Sequence, residues 1–219
     1  MQVGDDKLDS VSKYLGLQDD YADPTRSLSQ VQALLEHEAI NNEELKNYAI
    51  PVSPHLDFFH LSSKVTGREK LVNHIVQHAP YDYTFLDLCS SVGVPSVKTA
   101  LAAVEIVVFV LPQNAAVLDG FKAFSQMPQF EDKTFVIALN NFSSAVGPSP
   151  KLIRRHRLPE KQVYLIHRNP QIQEYMNNGK ALDIVFRLLE RDAMVADIHK
   201  DLSRLCDVLK YHNADLEGL

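Results

Sequence analysis

Short runs of apolar residues alternate along this chain with segments in which apolar residues recur at helical spacing. Strands are predicted at residues 83–88, 106–111, 134–139 and 163–166, with a less buried strand at 56–61. The runs are almost continuously apolar and rich in β-branched and aromatic residues, which is typical of strands covered on both faces. Helices are predicted between them, at residues 68–78, 94–104, 118–127 and 172–177. This alternation predicts an α/β protein with three α/β/α layers and a mainly parallel sheet.

The two ends of the chain are predicted to be helical. Near the amino end, an apolar stripe includes Leu28 and Leu35, and a polar stretch at residues 41–44 could cap a second helix. Near the carboxyl end, apolar residues at helical spacing predict two helices, or one bent helix, packed on the sheet through Leu182, Val185, Leu188 and Leu189 and later through residues 198–209. No internal repeat or low-complexity linker divides the chain, so residues 1–219 are predicted to form a single domain.

Composition limits the classes of protein that fit this pattern. The 219 residues are 45% hydrophobic and carry a net charge of −6, which suits a globular domain and disfavours nonspecific nucleic-acid binding by the whole surface. The two cysteines, Cys89 and Cys206, suit a reducing compartment, so a cytoplasmic protein is predicted. No uninterrupted apolar run is long enough to cross a bilayer, and the first residues do not form a secretion signal.

A phosphate-binding loop would give such a protein a nucleotide site, but the sequence contains none. A P-loop requires spaced glycines followed by a lysine and a hydroxyl residue. The nearest imitation, Gly179-Lys180-Ala181, lacks both the upstream glycine and the hydroxyl. We interpret it as a turn between two helices, because glycine commonly ends helices.

Asp87 is the first candidate for chemistry, since it ends a predicted strand and precedes a loop of small residues at positions 89–93. Carboxylates at the carboxyl ends of parallel strands present their oxygens to ligands, and in P-loop ATPases such a group holds magnesium directly or through water. An aspartate in this position also caps loops by accepting backbone N–H groups. The spacing alone leaves both interpretations open.

The order of four segments is more specific than any one of them. Residues 81–88, 102–113, 135–142 and 166–175 together resemble the ParA/MinD family of deviant-Walker (SIMIBI) P-loop ATPases, over roughly residues 55–190. Residues 3–17 resemble the segment after the family's second strand. The stretch at 28–61 is closest in style to the CpaE/TadZ branch, which is associated with pilus assembly.

This resemblance implies a P-loop NTPase-like, Rossmann-like fold and gives roles to individual residues. Asp87 would be the switch carboxylate, with a catalytic role, and would hold magnesium through water. Asn140 and Pro112 would lie near an adenine, and the turn from Arg168 to Pro170 would line the same pocket. Asp5 or Asp6 would supply a second acidic group near magnesium.

The same resemblance raises the question of the missing loop. In the family the P-loop strand lies inside the sheet, so its loss would leave two apolar edges unpaired. We expect that the sequence starts partway through a longer protein, or that the missing strand is replaced. The two prolines that usually follow the switch aspartate are replaced by Cys89 and Ser90, which argues against hydrolysis.

The resemblance therefore predicts a nucleotide-responsive or pseudo-ATPase module that spatially organises pilus, secretion, division or segregation machinery. It would act as a homodimer that recruits a protein partner, with polar or membrane association through partners. ATP and magnesium would bind if a P-loop exists upstream, and otherwise no cofactor would. The first alternative is an active ATPase whose catalytic loop has been cut from this sequence.

A DNA-binding adaptor is the second alternative. It depends on the dense basic cluster of Lys151, Arg154, Arg155 and Arg157, because basic residues in ParA-like dimers hold DNA phosphates. A solvated helix face explains the same residues. His74 and His78 have the spacing of a helical metal-binding pair, but no third ligand has diagnostic spacing, so no zinc site is predicted.

Overall fold

The structure is a computed structural model that describes residues 2–3, 42–61, 68–88, 94–146 and 149–217. The chain divides into two compact units, Met1–Val104 and Glu105–Leu219. The single domain expected from the sequence stays a prediction. The stripe at Leu28 and Leu35 lies outside the described residues.

A parallel sheet of three short strands lies in the first unit. Its central strand, β1 (Gln2–Val3), pairs with β4 (His60–Leu61) on one side and with β5 (Asp87–Leu88) on the other. The register places Asp87 beside Gln2 and Leu88 beside Val3. An antiparallel hairpin precedes β4 and consists of β2 (Ile50–Ser53) and β3 (Leu56–Phe58).

Helices enclose the apolar core of this unit. The short helix α1 (Asn42–Leu45) continues into a 3₁₀ turn, Lys46–Tyr48, and the longer helices are α2 (Arg68–His78) and α3 (Pro95–Ala103). Helices α2 and α3 pack against each other. The buried cluster consists of Leu45, Ala49, Phe59, Leu71, Val72, Ile75 and Ala100. Tyr81 closes its rim by donating its hydroxyl hydrogen to Asp57 Oδ2, at 2.6 Å.

The second unit contains a longer parallel sheet with the order β6–β7–β8. The strands are β6 (Ile106–Pro112), β7 (Thr134–Phe142) and β8 (Val163–His167). In the middle of the central strand, residues 136–139 are fully buried. Strand β6 lies at one edge of the sheet, where Val110 is 63% exposed.

The remaining helices of the second unit connect and cover these strands. In chain order they are α4 (Ala115–Ser125), α5 (Ser149–Arg155), α6 (Pro170–Asn177), α7 (Ala181–Leu189) and α8 (Ala196–Glu217). Single 3₁₀ turns occur at Pro128–Phe130, Ser144–Val146, Glu160–Gln162 and Ala193–Val195. Helix α8 packs against β8. Among the described residues, no helix combines the length and apolar character needed to cross a bilayer.

Phenylalanine rings fill the space between the sheet and α4. Phe109 of β6 lies edge-to-face with four others, at centroid distances of 5.0–5.9 Å; these are Phe121, Phe124, Phe130 and Phe135. Edge-to-face rings of this kind add favourable electrostatics to the burial of their apolar area. The cluster fixes α4 and the Pro128–Phe130 turn on one face of the sheet.

Gly179 ends α6, as the sequence indicated. Its φ of 68° is in the left-handed region that glycine adopts at little cost. The N–H of Gly179 donates to the Met176 carbonyl, and the N–H of Lys180 donates to the Tyr175 carbonyl. These are the two hydrogen bonds of a Schellman motif. The glycine-lysine pair is therefore a helix terminus.

Several sequence expectations need correction. Of the strand predicted at 83–88, only Asp87–Leu88 forms a strand in the described part of the chain. The strand predicted at 56–61 is interrupted at Phe59, which is buried between β3 and β4. The helix predicted at 118–127 begins at Ala115 instead, because the Asn114 side chain caps the N–H groups of Ala116 and Val117.

The face of α7 that packs on the unit was also wrongly predicted. Ala181 and Ile184 are buried, whereas Val185 and Phe186 are exposed and Leu189 is 74% exposed. Helical spacing identified an apolar stripe correctly, but α7 buries the adjacent positions, Ala181 and Ile184, in its own unit.

His74 on α2 allows a test by pH. Burial lowers the pKa of its imidazole, and the neighbouring His78, with a ring centroid 4.8 Å away, lowers it further. Because the pKa of the folded state lies below that of the unfolded state, only the unfolded chain takes up a proton between the two values. This group therefore removes no stability above pH 6.5 and destabilises the protein as pH falls below that value.

We expect His74→Phe to reduce the loss of unfolding free energy between pH 7.5 and pH 5.5, measured by urea denaturation. The His74 Nε2 atom is buried and has no hydrogen-bond partner in the described part of the chain, so an aromatic replacement leaves no new polar group unsatisfied. His55→Phe, at an exposed turn, is the control and should keep the pH dependence of the wild type. An unchanged pH dependence in His74→Phe would contradict the assignment.

Candidate functional site

The carboxyl ends of β6, β7 and β8 meet at one edge of the second unit's sheet. Parallel pairing places Pro112 beside Asn140, and farther along it places Phe142 beside His167. Residues at this edge are where open α/β sheets bind their ligands. The predicted pair Pro112 and Asn140 is therefore adjacent in the structure, in neighbouring strands.

Arg168 and Pro170 follow β8 at the same edge. The backbone N–H of Arg168 donates to the Phe142 carbonyl at 2.9 Å, which ties the turn to the end of β7, and the Arg168 side chain is exposed. Pro170 is the first residue of α6, and the preceding Asn169 accepts the N–H groups of Gln171 and Ile172 through its side chain. All four residues predicted to line a base pocket thus belong to one edge of one sheet.

Gln113 locks two loops of this edge together. Its Nε2 donates to the Ser143 carbonyl at 3.1 Å, and its Oε1 accepts the Ser143 N–H at 2.9 Å. The side chain therefore bridges the loop after β6 to the loop after β7. The sequence gave no specific indication of this contact, because a glutamine after a strand has many uses.

The end of β7 is bent by Asn141. Its φ of 54° lies in the left-handed region, which asparagine tolerates better than most residues. The register between β7 and β8 shifts between Leu139 and Phe142, across this residue. The bend brings the ring centroids of Phe142 and His167 to a distance of 5.3 Å, with an angle of 88° between the two ring planes.

His167 and Asp201 were missed by the sequence analysis. Asp201 on α8 is 6% exposed, and its Oδ2 lies 2.8 Å from Nδ1 of His167. The two residues are 34 positions apart, and an aspartate inside an amphipathic helix reads as part of the solvated face. Only the packing of α8 on β8 reveals the pair.

Asp87 belongs to the first unit. It lies at the start of β5, beside Gln2, and is exposed to solvent. Desolvation raises the pKa of its carboxyl above the usual 3.8. Asp5 and Asp6, the other predicted acidic ligands, lie outside the described residues, as does Cys89.

The basic cluster lies on α5 and just after it. Lys151, Arg154 and Arg155 are exposed on the helix, and Arg157 is exposed in the turn that follows, with a φ of 53°. Their helix is attached to α4 by the buried His156, whose Nδ1 lies 2.8 Å from Asp119 Oδ1.

The residues predicted to contact a base and those predicted to hold magnesium differ in how the structure places them. Pro112, Asn140 and Arg168 lie at the carboxyl end of one sheet, and their role near a base stays a prediction. Within the described ranges, no group of three or more His, Cys, Asp or Glu residues is placed to hold a metal ion. Asp87 is the predicted magnesium ligand; desolvation raises the pKa of its carboxyl, and its role as a ligand stays a prediction.

Comparison with known proteins places the fold. No protein-family model matches the sequence, and no curated protein matches it. Among solved structures, the MinD cell division protein of Aquifex aeolicus is similar, with a TM-score of 0.59 over 90% of this chain and 80% of that chain. The chain has the fold of MinD. The predicted α/β fold of P-loop NTPase type is thereby confirmed, while at 12% identity the roles of individual residues stay predictions.

Asp87 offers a test of its electrostatic position. Because its folded-state pKa is raised, the folded chain holds the proton more tightly than the unfolded chain, and stability falls as pH rises from 3.8 through the raised value. We expect Asp87→Asn to raise the melting temperature slightly at pH 7, with no difference from wild type near pH 3. Asp82→Asn, at an exposed carboxylate nearby, is the control and should change neither value. A lower melting temperature for Asp87→Asn at pH 7 would refute the desolvation cost.

Proposed function

We propose that this chain is a nucleotide-responsive module of the ParA/MinD type, a pseudo-ATPase. It binds an adenine nucleotide without hydrolysing it and organises a cellular machine by dimerising and recruiting a protein partner. Pilus or secretion assembly, as in the CpaE/TadZ branch, is the first candidate machine, and division or segregation is the second.

The convergence of Pro112, Asn140 and Arg168 at one sheet edge carries this proposal. The resemblance of the sequence gives these residues a role near adenine, and open α/β sheets bind ligands at the carboxyl ends of their strands, where these residues lie. The sequence lacks the lysine and hydroxyl of a P-loop, so the phosphates lose their usual ligands. Binding through the base without hydrolysis is the activity that remains.

The exposed stripe of α7 supports recruitment of a partner. Leu182, Val185, Phe186 and Leu189 follow the spacing i, i+3, i+4, i+7, and the last three are exposed. Apolar side chains grouped in this way on a surface mark contacts with other proteins more often than isolated ones do.

Nucleotide titration tests the proposal directly. At a nucleotide concentration ten times the dissociation constant, linkage adds about 1.4 kcal/mol to the unfolding free energy. For a chain of this size, that corresponds to a rise of about 3–5 °C in melting temperature. We expect this rise with ATP and magnesium, and no release of phosphate.

Asn140→Ala should reduce the rise, whereas Asn177→Ala, at an exposed position of α6, should retain it. An unchanged melting temperature of the wild type at millimolar ATP would overturn nucleotide binding. Release of phosphate by the purified chain would instead favour the active ATPase.

A DNA-binding adaptor is the second candidate function, because α5 exposes its basic residues together. Lys151, Arg155 and Arg157 all reach solvent, although the chain as a whole is acidic. Phosphate contacts of this kind give an affinity that falls steeply with salt.

Charge reversal tests this candidate. If Lys151 and Arg155 contact phosphates, the double variant Lys151→Glu, Arg155→Glu should reduce the slope of log affinity against log salt by about two. Fluorescence anisotropy with a duplex of mixed sequence measures the slope. The control variant Lys122→Glu, Lys180→Glu changes the net charge equally at exposed positions outside the cluster. If both double variants bind DNA with equal affinity, the chain is not a DNA-binding adaptor.

A further inference from the structure

Helix α7 carries an apolar stripe that reaches solvent. The stripe, hereafter the α7 stripe, consists of Leu182, Val185, Phe186 and Leu189. Val185 is 42% exposed, Phe186 51% and Leu189 74%. The adjacent side of the helix, with Ala181 and Ile184, is buried in the second unit. One side of α7 therefore fixes the helix to its unit, while the other side presents apolar side chains to solvent.

Two sets of contacts hold α7 in place. Arg187 donates from Nη1 to Asp192 Oδ2 at 2.6 Å, and its guanidinium lies 5.4 Å from the centre of the Tyr175 ring on α6. At the carboxyl end of α7, the N–H of Arg191 donates to the Leu188 carbonyl and the N–H of Asp192 donates to the Arg187 carbonyl, which are the two hydrogen bonds of a Schellman motif. A surface that is already ordered loses less conformational entropy when a partner binds.

Two carboxylates border the α7 stripe along one side. Asp183 is three residues before Phe186 and Glu190 is four residues after it, so all three lie along one line of the helix. Both acids are exposed, and within the part of the chain that the structure describes neither forms an ion pair. Glu190 keeps a helical backbone as the C-cap, where negative charge is unfavourable, so helix stability does not explain its presence.

Basic residues near α7 do not lie on this border. They either leave the helical backbone conformation or pair with Asp192; they are Lys180, Arg191 and Arg187. The border therefore favours a partner surface that carries lysine or arginine beside apolar side chains.

A second copy of the chain does not meet this requirement. Antiparallel pairing of two α7 stripes brings Asp183 of one copy close to Glu190 of the other, and like charges at such positions repel. The exposed part of the stripe also offers on the order of 300 Å² of apolar surface, whereas a stable interface buries about 800 Å² on each partner. The α7 stripe suits a smaller contact with a different protein.

We infer that the α7 stripe docks an amphipathic helix of a protein partner, and that lysine or arginine residues border the apolar stripe of that helix. A helix fits because the apolar residues of α7 have the spacing i, i+3, i+4 and i+7 over about two turns, a surface on which the ridges of a second helix pack. This inference rests on the proposed function, since it gives the chemistry of the recruited partner.

Fluorescence anisotropy with two labelled helical peptides, at low salt and without nucleotide, tests the selection. The peptides share leucines at i, i+3, i+4 and i+7 and carry either lysine or glutamate at the bordering positions. We expect the chain to bind the lysine peptide about tenfold more tightly, as a few exposed ion pairs allow. Phe186→Ala should weaken binding of the lysine peptide about tenfold. The matched control Phe85→Ala, at a residue 65% exposed in the first unit, should leave it unchanged.

Neutral amides at the border separate the effect of charge from that of apolar contact. In the double variant Asp183→Asn, Glu190→Gln, the ratio of affinities for the two peptides should fall close to one. The control Glu131→Gln, Asp132→Asn makes the same chemical changes at exposed positions outside α7 and should keep the ratio of the wild type. Circular dichroism of each variant establishes that it is folded.

The outcomes are distinct. If neither peptide binds, if the wild type binds both equally, or if both double variants keep the wild-type ratio, the inference is wrong. A homodimer in sedimentation equilibrium that Phe186→Ala dissociates would make the stripe a contact between copies. Binding to phosphatidylglycerol vesicles that Phe186→Ala abolishes would make it a membrane contact, and either result overturns the inference. Selective binding of the lysine peptide without a rise in melting temperature with ATP would overturn the proposed nucleotide binding alone.

Discussion

The parallel pairing of β7 with both of its neighbours is the constraint on which the second unit depends. Residues 136–139 of this strand are buried, so both faces of the strand are packed, and a shift of register would disrupt the packing of large and small side chains on both. The register in turn places Pro112 beside Asn140 and Phe142 beside His167. The packing of an apolar strand interior thus determines which polar residues meet at its carboxyl end.

The apolar pattern of the sequence predicted the buried strands correctly. It failed where packing between elements determines the structure. Strands β6, β7 and β8 were recognisable because strands covered on both faces must be apolar throughout. Residues 83–86 have a similar composition, but they lie outside any strand and Phe85 is 65% exposed, so composition alone did not make them a strand. Pro112 and Asn140 are neighbours because a parallel sheet aligns its strand ends, and their role near a base stays a prediction. The His167–Asp201 pair depends on helix packing that no local pattern encodes.

The carboxylates of Asp201, in the second unit, and Asp87, in the first, differ in how their surroundings affect the charged form. Asp201 is buried and accepts two hydrogen bonds from one residue, so its burial is compensated. Asp87 is disfavoured as a charge by desolvation, which raises the pKa of its carboxyl. A residue whose ionised form is destabilised in the folded chain is a candidate for function, because stability alone would favour its replacement.

The contact between Gln113 and Ser143 has a mechanical consequence. A glutamine amide has the same donor and acceptor as a peptide group, and here it offers both to a single residue of the neighbouring loop. The side chain thus adds one rung to the β-ladder beyond the last backbone pair, Pro112 with Asn140. Two connections that would otherwise move independently are joined, so a displacement of either one is transmitted to the other without passing through the strands.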